Sequence, residues 1–159
     1  DLFDLAQFDS WLDKNNILFL VSAHPLMEDF EDFSNCTNIR YLDKNPIIDI
    51  NQLLPEIDVL ITDYSSIATD YMLMDRPVIY VMPDYEYYLY DFGLLEDIRE
   101  NLPGLEAESF IALQGYLLRS LENPQEMHSE RVKYLNKYYD VSNSNSCENI
   151  SKFIESLVK

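Results

Sequence analysis

Cysteine and base are both scarce in this chain. Cys36 and Cys147 are the two cysteines of 159 residues. They stand far apart, with no C-x-x-C pair and no clustered histidines, so the pattern supports neither a disulfide framework nor a zinc site. Such usage fits a reducing compartment. Lysine and arginine together number 11 against 29 acidic residues, a formal net charge of -18, and the cations form no cluster. A nucleic-acid backbone or an anionic membrane surface is therefore a poor partner for this chain. An anionic small molecule stays open, provided backbone amides and hydroxyls at helix ends hold it rather than a basic patch. Long apolar runs are missing as well: Ile17 to Val21 is far too short to span a bilayer, and no signal-peptide pattern precedes it. No internal repeat occurs, and the low-complexity content is confined to the polar stretch "DVSNSNSCEN". The first residue is Asp1, inside a predicted helix, and the chain is expected to be a piece of a larger protein.

What is present describes a globular chain: 47% hydrophobic and 13% aromatic residues, in a length suited to one domain with one core. Leu5, Phe8, Trp11 and Leu12 have helical spacing and predict a helix from Leu5 to Lys14, ended by Asn15-Asn16. "ILFLVSA" predicts a strand from Ile17 to Ala23 that stops at His24-Pro25. A second strand is expected at Ile39 to Leu42, then a helix from Asp49, as cap, to about Ile57. "DVLIT" and "PVIYV" are β-branched, nearly continuous apolar runs of the kind buried on both faces of a parallel sheet. Between them lies a helix expected from Ser66 to Asp75, with Ile67, Tyr71 and Met74 on one face. Later helices are expected from Ser109 to Leu121, from Pro124 to about Tyr139, and from Asn149 to Val158, the last with Ile150, Phe153, Ile154 and Leu157 on one face. Strands alternating with helices, followed by a helical tail from about residue 108, predict a doubly wound α/β parallel sheet of about four strands.

In such a sheet the carboxyl ends of the strands share one edge. His24-Pro25, Asp63-Tyr64-Ser65-Ser66 and Asp84 are expected to face one crevice there, although far apart in sequence. Two readings of the serines remain open. Ser65 or Asp63 can cap the free amides of the helix, or the hydroxyls and the helix start can bind an anion.

"SAHP", "DINQLL", "DVLITDYSS" with a following "DYML", "PVIY", "DYEYY" and the Pro103-Gly104 pair occur in that order. The series resembles the carboxy-terminal, donor-binding half of CDP-glycerol glycerophosphotransferases, the teichoic-acid polymerases and primases, closely over about residues 16 to 104 and loosely in the tail. The resemblance implies a Rossmann-like domain, spanning residues 1–159, of an enzyme of GT-B type with two such domains. An acceptor hydroxyl would attack the β-phosphate of CDP-glycerol, and CMP would leave. It implies that His24 sits at the reacting phosphate as proton donor or charge stabiliser, with Pro25 and Thr62 beside the donor. Ser65 and Ser66, with their amides, would hold the pyrophosphate. Ionised Asp63 and Asp70 would repel phosphate, and are assigned to capping, to orienting hydroxyls, or to ribose and cytidine contacts. The segment with Asp140, Ser144 and Ser146 is similar to a family segment near the ligand. The implied partners are a CDP-activated polyol phosphate and an amino-terminal acceptor domain outside this chain. No cofactor or metal is implied, and the location is cytoplasmic, at the inner membrane face through parts not in this chain.

The sequence departs from the family at Phe92-Gly93, where Arg-Gly is common, so one cation is absent. Two alternatives accompany this reading. One is a phosphoacceptor receiver domain of a signalling system, which lacks here the acidic pair and the lysine it requires. The other is a degenerate transferase domain kept for binding, which Phe92 suggests. Tyr85, Tyr87, Tyr88 and Tyr90 are expected to form a packing patch, and His128 is given no role.

Overall fold

Asp4 is extended and its carboxylate accepts from the Gln7 amide at 3.1 Å, which starts helix α1, Leu5–Lys14. Asn16, left-handed at φ 55°, ends it. The computed structural model to which this helix belongs describes residues 4–22, 33–42, 50–93, 98–139 and 145–158. Its chain divides into two compact units, Asp1–Pro55 and Glu56–Lys159.

In the first unit, strands β1 (Phe19–Val21) and β2 (Ile39–Tyr41) pair in parallel, Phe19 opposite Ile39. Phe8 and Leu12 of α1 are buried together with Ile39, and the Phe8 and Phe19 rings meet edge-on at 5.3 Å. Asp9 fastens α1 to the start of β2: its carboxylate accepts from the Thr37 amide at 3.0 Å and the Asn38 amide at 2.7 Å. The expected helix up to Ile57 is instead α2, Ile50–Leu53, tightened into a 3₁₀ turn, Leu54–Glu56. Pro55 explains the change, since it has no amide to donate and its ring crowds the preceding turn. Asp49, its expected cap, lies outside the described residues.

The second unit contains three parallel strands in the order β3 (Leu60–Thr62), β4 (Val78–Tyr80) and β5 (Leu105–Glu106). Thr62 is in register with Tyr80, and Tyr80 with Glu106. All three residues of β4 are buried, as its unbroken apolar run requires. The α/β class with parallel strands and a helical tail is the one expected. The described strands number five in two sheets, rather than about four in one. The unexpected β5 has only two residues and no apolar run. Gly104 makes it possible: a Cβ there would stand 2.2 Å from the Val78 carbonyl oxygen, so only glycine lets this segment lie against β4.

Helix α3, Ile67–Met72, is shorter than expected, and Asp75 beyond it is left-handed at φ 52°. Its buried face is Ala68, Tyr71 and Met72, not Ile67, Tyr71 and Met74. Tyr71 sets that rotation, because its hydroxyl reaches back to the Ile57 carbonyl at 2.8 Å. Helix α4, Tyr85–Asp91, follows β4, and a 3₁₀ turn, Ile98–Asn101, precedes β5. Ser109 caps α5, Phe110–Glu122, by accepting from the Ala112 amide at 3.1 Å. Helix α6 runs from His128 to Tyr138, not from Pro124. The carbonyls of Pro124 and Glu126 turn toward the Arg131 guanidinium, at 3.1 and 2.6 Å, which holds residues 124–127 in a turn. Helix α7, Ser146–Leu157, starts earlier than Asn149, and its apolar face is exposed: Ile150, Phe153, Ile154 and Leu157 are 53 to 69% accessible.

Candidate functional site

Parallel pairing brings the ends of β3, β4 and β5 to one edge of the second unit. From β3 the chain turns through Asp63, Tyr64, Ser65 and Ser66 into α3. The Asp63 carboxylate accepts from the Ser65 amide at 3.1 Å, a side-chain turn typical of aspartate. The Ser65 hydroxyl accepts from the Ile67 amide at 3.4 Å, a long and weak cap. Ser66 occupies the capping position of α3 without a side-chain capping bond, and both serines are exposed. Side-chain capping of α3 thus falls to Ser65, and Asp63 engages the Ser65 amide within the turn.

From β4 the chain passes buried Met82 to Asp84, which begins α4 but makes no side-chain capping bond. Its carboxylate instead accepts from the Tyr64 hydroxyl at 2.8 Å. The Tyr64 ring stacks on Tyr88, centroids 3.9 Å apart and planes 16° apart, and the Phe92 ring lies 5.1 Å from that of Tyr88, tilted by 35°. Burial, then the Asp84 hydrogen bond and the negative charge of Asp84 and Asp63, push the Tyr64 pKa far above the ordinary phenol range. Its hydroxyl therefore stays a donor. Within the expected aromatic patch, Tyr85 is buried and Tyr88 stacked, whereas Tyr87 and Tyr90 are exposed.

Arg99 is a cation of this edge that the sequence reading missed. Its guanidinium lies 4.1 Å over the Tyr85 ring and its Nε donates to both Glu106 carboxylate oxygens at 3.1 Å. Glu86 stands 3.9 Å away. The Glu106 hydrogen bond raises the Arg99 pKa further, so the charge is permanent. No local motif marks Arg99; only the meeting of α4 and β5 gives it a place.

Asp70 of α3 accepts from the Tyr139 hydroxyl at 2.8 Å. Asp75 accepts from Arg131 Nε at 2.9 Å and is 2.7 Å from His128 Nδ1. His128 therefore has a structural contact, where the sequence suggested none. Arg131 is 1% exposed and its fork is filled by Asp75 and three carbonyls. The tail helix α6 thus holds α3 at both places, and through α3 it holds the serine turn.

Of the residues expected at the site, Thr62, Asp63, Ser65, Ser66 and Asp70 gather along β3 and α3. His24, Pro25, Ser144 and Asp140 lie outside the described residues, as do all of residues 140–144. Among the described residues no cluster of metal-ligating side chains occurs, and no helix is long and apolar enough to cross a membrane.

Comparison with known proteins gives a consistent picture. A teichoic acid ribitol-phosphate polymerase of Staphylococcus aureus, TarL, is 24% identical over 147 residues, covering 92% of this chain and 25% of that protein. A teichoic acid glycerol-phosphate primase of Bacillus subtilis is 25% identical, covering 91% of this chain and 36% of the primase. The chain thus spans a quarter to about a third of the length of these relatives. Among solved structures, a histidine variant of the wall teichoic acid polymerase TagF superposes with a TM-score of 0.71 at 25% identity, over 98% of this chain and 38% of that one. A crystal of such a variant soaked with CDPG gives a TM-score of 0.65 at 25% identity, covering 98% of this chain and 39% of that one. The family model for CDP-glycerol:poly(glycerophosphate) glycerophosphotransferases matches residues 1–156, and this chain belongs to that family.

Proposed function

We propose that this chain is the donor-binding part of an enzyme that transfers a polyol phosphate from a CDP-activated donor to an acceptor hydroxyl in teichoic-acid-type polymer synthesis. The acceptor oxygen bonds to the β-phosphorus, the bond to the bridging oxygen breaks, and CMP leaves with its electron pair. The acceptor's proton goes to a base outside this chain. The observation that carries the reading is the exposed Ser65-Ser66 pair at the end of β3, in a family member that overlays on a polymerase structure soaked with CDPG. Phosphoryl transfer is driven mainly by positioning and by stabilising negative charge. Neutral hydroxyls do this in a chain of net charge -18, where a free basic patch is absent from the sequence.

Within this reading the two hydroxyls and the Ser66 amide face the pyrophosphate, and Thr62 and Pro25 border the donor. Asp63 shapes the serine turn, and Asp70, held by Tyr139, faces the ribose or cytidine. His24 serves the reacting phosphate, and Ser144 contributes to donor binding. Relatives named for glycerol phosphate and for ribitol phosphate are about equally similar, so the polyol is glycerol or ribitol. The enzyme works at the cytoplasmic face of the membrane through parts outside this chain, and needs no cofactor besides the donor.

Family membership sets the receiver-domain alternative aside. The degenerate alternative rests on Phe92 in place of a family arginine; the Arg99 guanidinium at the same edge is engaged by Glu106. Calorimetric titration of the full-length protein with CDP-glycerol, and with CMP as comparison, tests the proposal. CDP-glycerol is expected to bind more tightly than CMP, with Ser65→Ala plus Ser66→Ala weakening it by roughly 1 to 3 kcal/mol. Unchanged binding in the double variant overturns the assignment.

A further inference from the structure

Asp84 begins α4 yet caps nothing, and its carboxylate is given to the Tyr64 hydroxyl at 2.8 Å. Tyr64 lies between Asp63 and Ser65, and it is the residue of the serine turn whose side chain crosses to the next strand's loop. The Tyr88 ring, stacked at 3.9 Å, holds the Tyr64 ring from α4. A second bridge lies beside the first: Arg99 covers Tyr85, the residue after Asp84, and binds Glu106 of β5. The ends of β3, β4 and β5 are thereby fastened to one another by side chains, outside the backbone ladder.

We infer that Tyr64 is a positioning residue of the donor site: through Asp84 it fixes the Asp63–Ser66 turn so that the Ser65 and Ser66 hydroxyls are set before the donor arrives. The inference rests on the donor-site reading above and goes beyond it, because Tyr64 itself touches no phosphate. The turn needs such a clasp. α3 is only six residues long, its capping position carries no side-chain bond, and the Ser65 cap is stretched to 3.4 Å. Local bonding alone leaves the serines loosely held, and a preformed site loses less on binding than one that must be ordered by the ligand. A hydrogen bond to a carboxylate is among the stronger kinds, and the raised pKa of Tyr64 keeps its proton in place around neutral pH.

Steady-state kinetics of the full-length enzyme, with melting temperature measured alongside, test the clasp. Tyr64→Phe keeps the stack on Tyr88 and removes only the hydroxyl. It is expected to raise the donor KM about tenfold while kcat at saturating donor changes little. Asp84→Asn, whose amide oxygen still accepts, is expected to give a smaller rise than Asp84→Ala. Combining Tyr64→Phe with Asp84→Ala is expected to cost no more than either alone, because both break one bond. If Tyr64→Phe lowers the melting temperature but leaves the donor KM unchanged, the clasp is a stability device and the inference is overturned. Ser65→Ala with Ser66→Ala separates the two levels. Should the serine variant raise the donor KM while Tyr64→Phe does not, only the clasp falls; should neither raise it, the donor site falls and takes the clasp with it.

Discussion

At Ser65 and Ser66 two adjacent hydroxyls of identical chemistry have different surroundings. Ser65 accepts a long bond from Ile67, whereas Ser66 is exposed and caps nothing. From the sequence, capping and anion binding are both compatible with this pair, because a cap and a phosphate both want an oxygen or an amide at a helix start. The three-dimensional turn divides the work, giving the cap to Ser65 and the shaping of the turn to Asp63. The "TDYSS" run was legible because its residues are contiguous and follow an apolar strand. Arg99 was not, because its partners Tyr85 and Glu106 come from separate elements and no local spacing announces them. His24 is argued from its place after the first expected strand and from the family resemblance. His24→Ala in the full-length protein is expected to abolish transfer with the circular dichroism spectrum and melting temperature unchanged. Near-normal turnover would remove His24 from the mechanism.

Among the elements, α3 depends on α6 more than on its own sequence. Six residues form a marginal helix in isolation, and its hold comes from Tyr139 on Asp70 and from Arg131 and His128 beyond its end at Asp75. Replacing Arg131 by Ala would leave Asp75 and the carbonyls of Pro124 and Glu126 without their buried donor. A loss of about 3 to 5 kcal/mol is expected in urea unfolding, since one partner of a buried charge network is removed. A loss below 1 kcal/mol would mean that water takes over these groups at little cost. Helix α7 is the opposite case. Its apolar spacing suited either the core or a bridge to a further domain, and within this chain Phe153 is 64% and Ile154 53% exposed. Periodicity tells which residues share a face, not what covers that face. Phe153→Ala in this chain is expected to change stability by no more than about 0.5 kcal/mol, as at other exposed positions. A loss of several kcal/mol in the same unfolding experiment would contradict the exposed placement.

For the whole molecule, the acid side of the stability curve carries a readable sign. Burial pushes the Asp75 carboxyl up, but the hydrogen bonds from His128 and Arg131 outweigh it and hold the group below the ordinary aspartate value of 3.8. Asp9 is held below the same value by the Thr37 and Asn38 amides. Folding therefore favours the deprotonated forms. Their contribution is complete above the ordinary value and is lost as pH falls through the lowered ones, so the urea midpoint is expected to drop below about pH 4. Asp75→Asn should make that drop shallower. An identical slope in the variant would show that Asp75 is not among the groups that sense acid.

The sequence by itself determined the α/β class, the parallel strands and the serine-bearing turn, because apolar runs and turn residues are local and periodic. It also determined the family, through motifs that occur in a fixed order. Tertiary structure alone decided that β5 exists, since Gly104 matters only once Val78 lies against it. It likewise turned the buried face of α3 toward Ala68 and Met72, delayed α6 until Arg131 had gathered its carbonyls, and joined Tyr64 to Asp84 across two strands. In each case the deciding partner is remote in sequence, and its pull is felt only after the chain has closed.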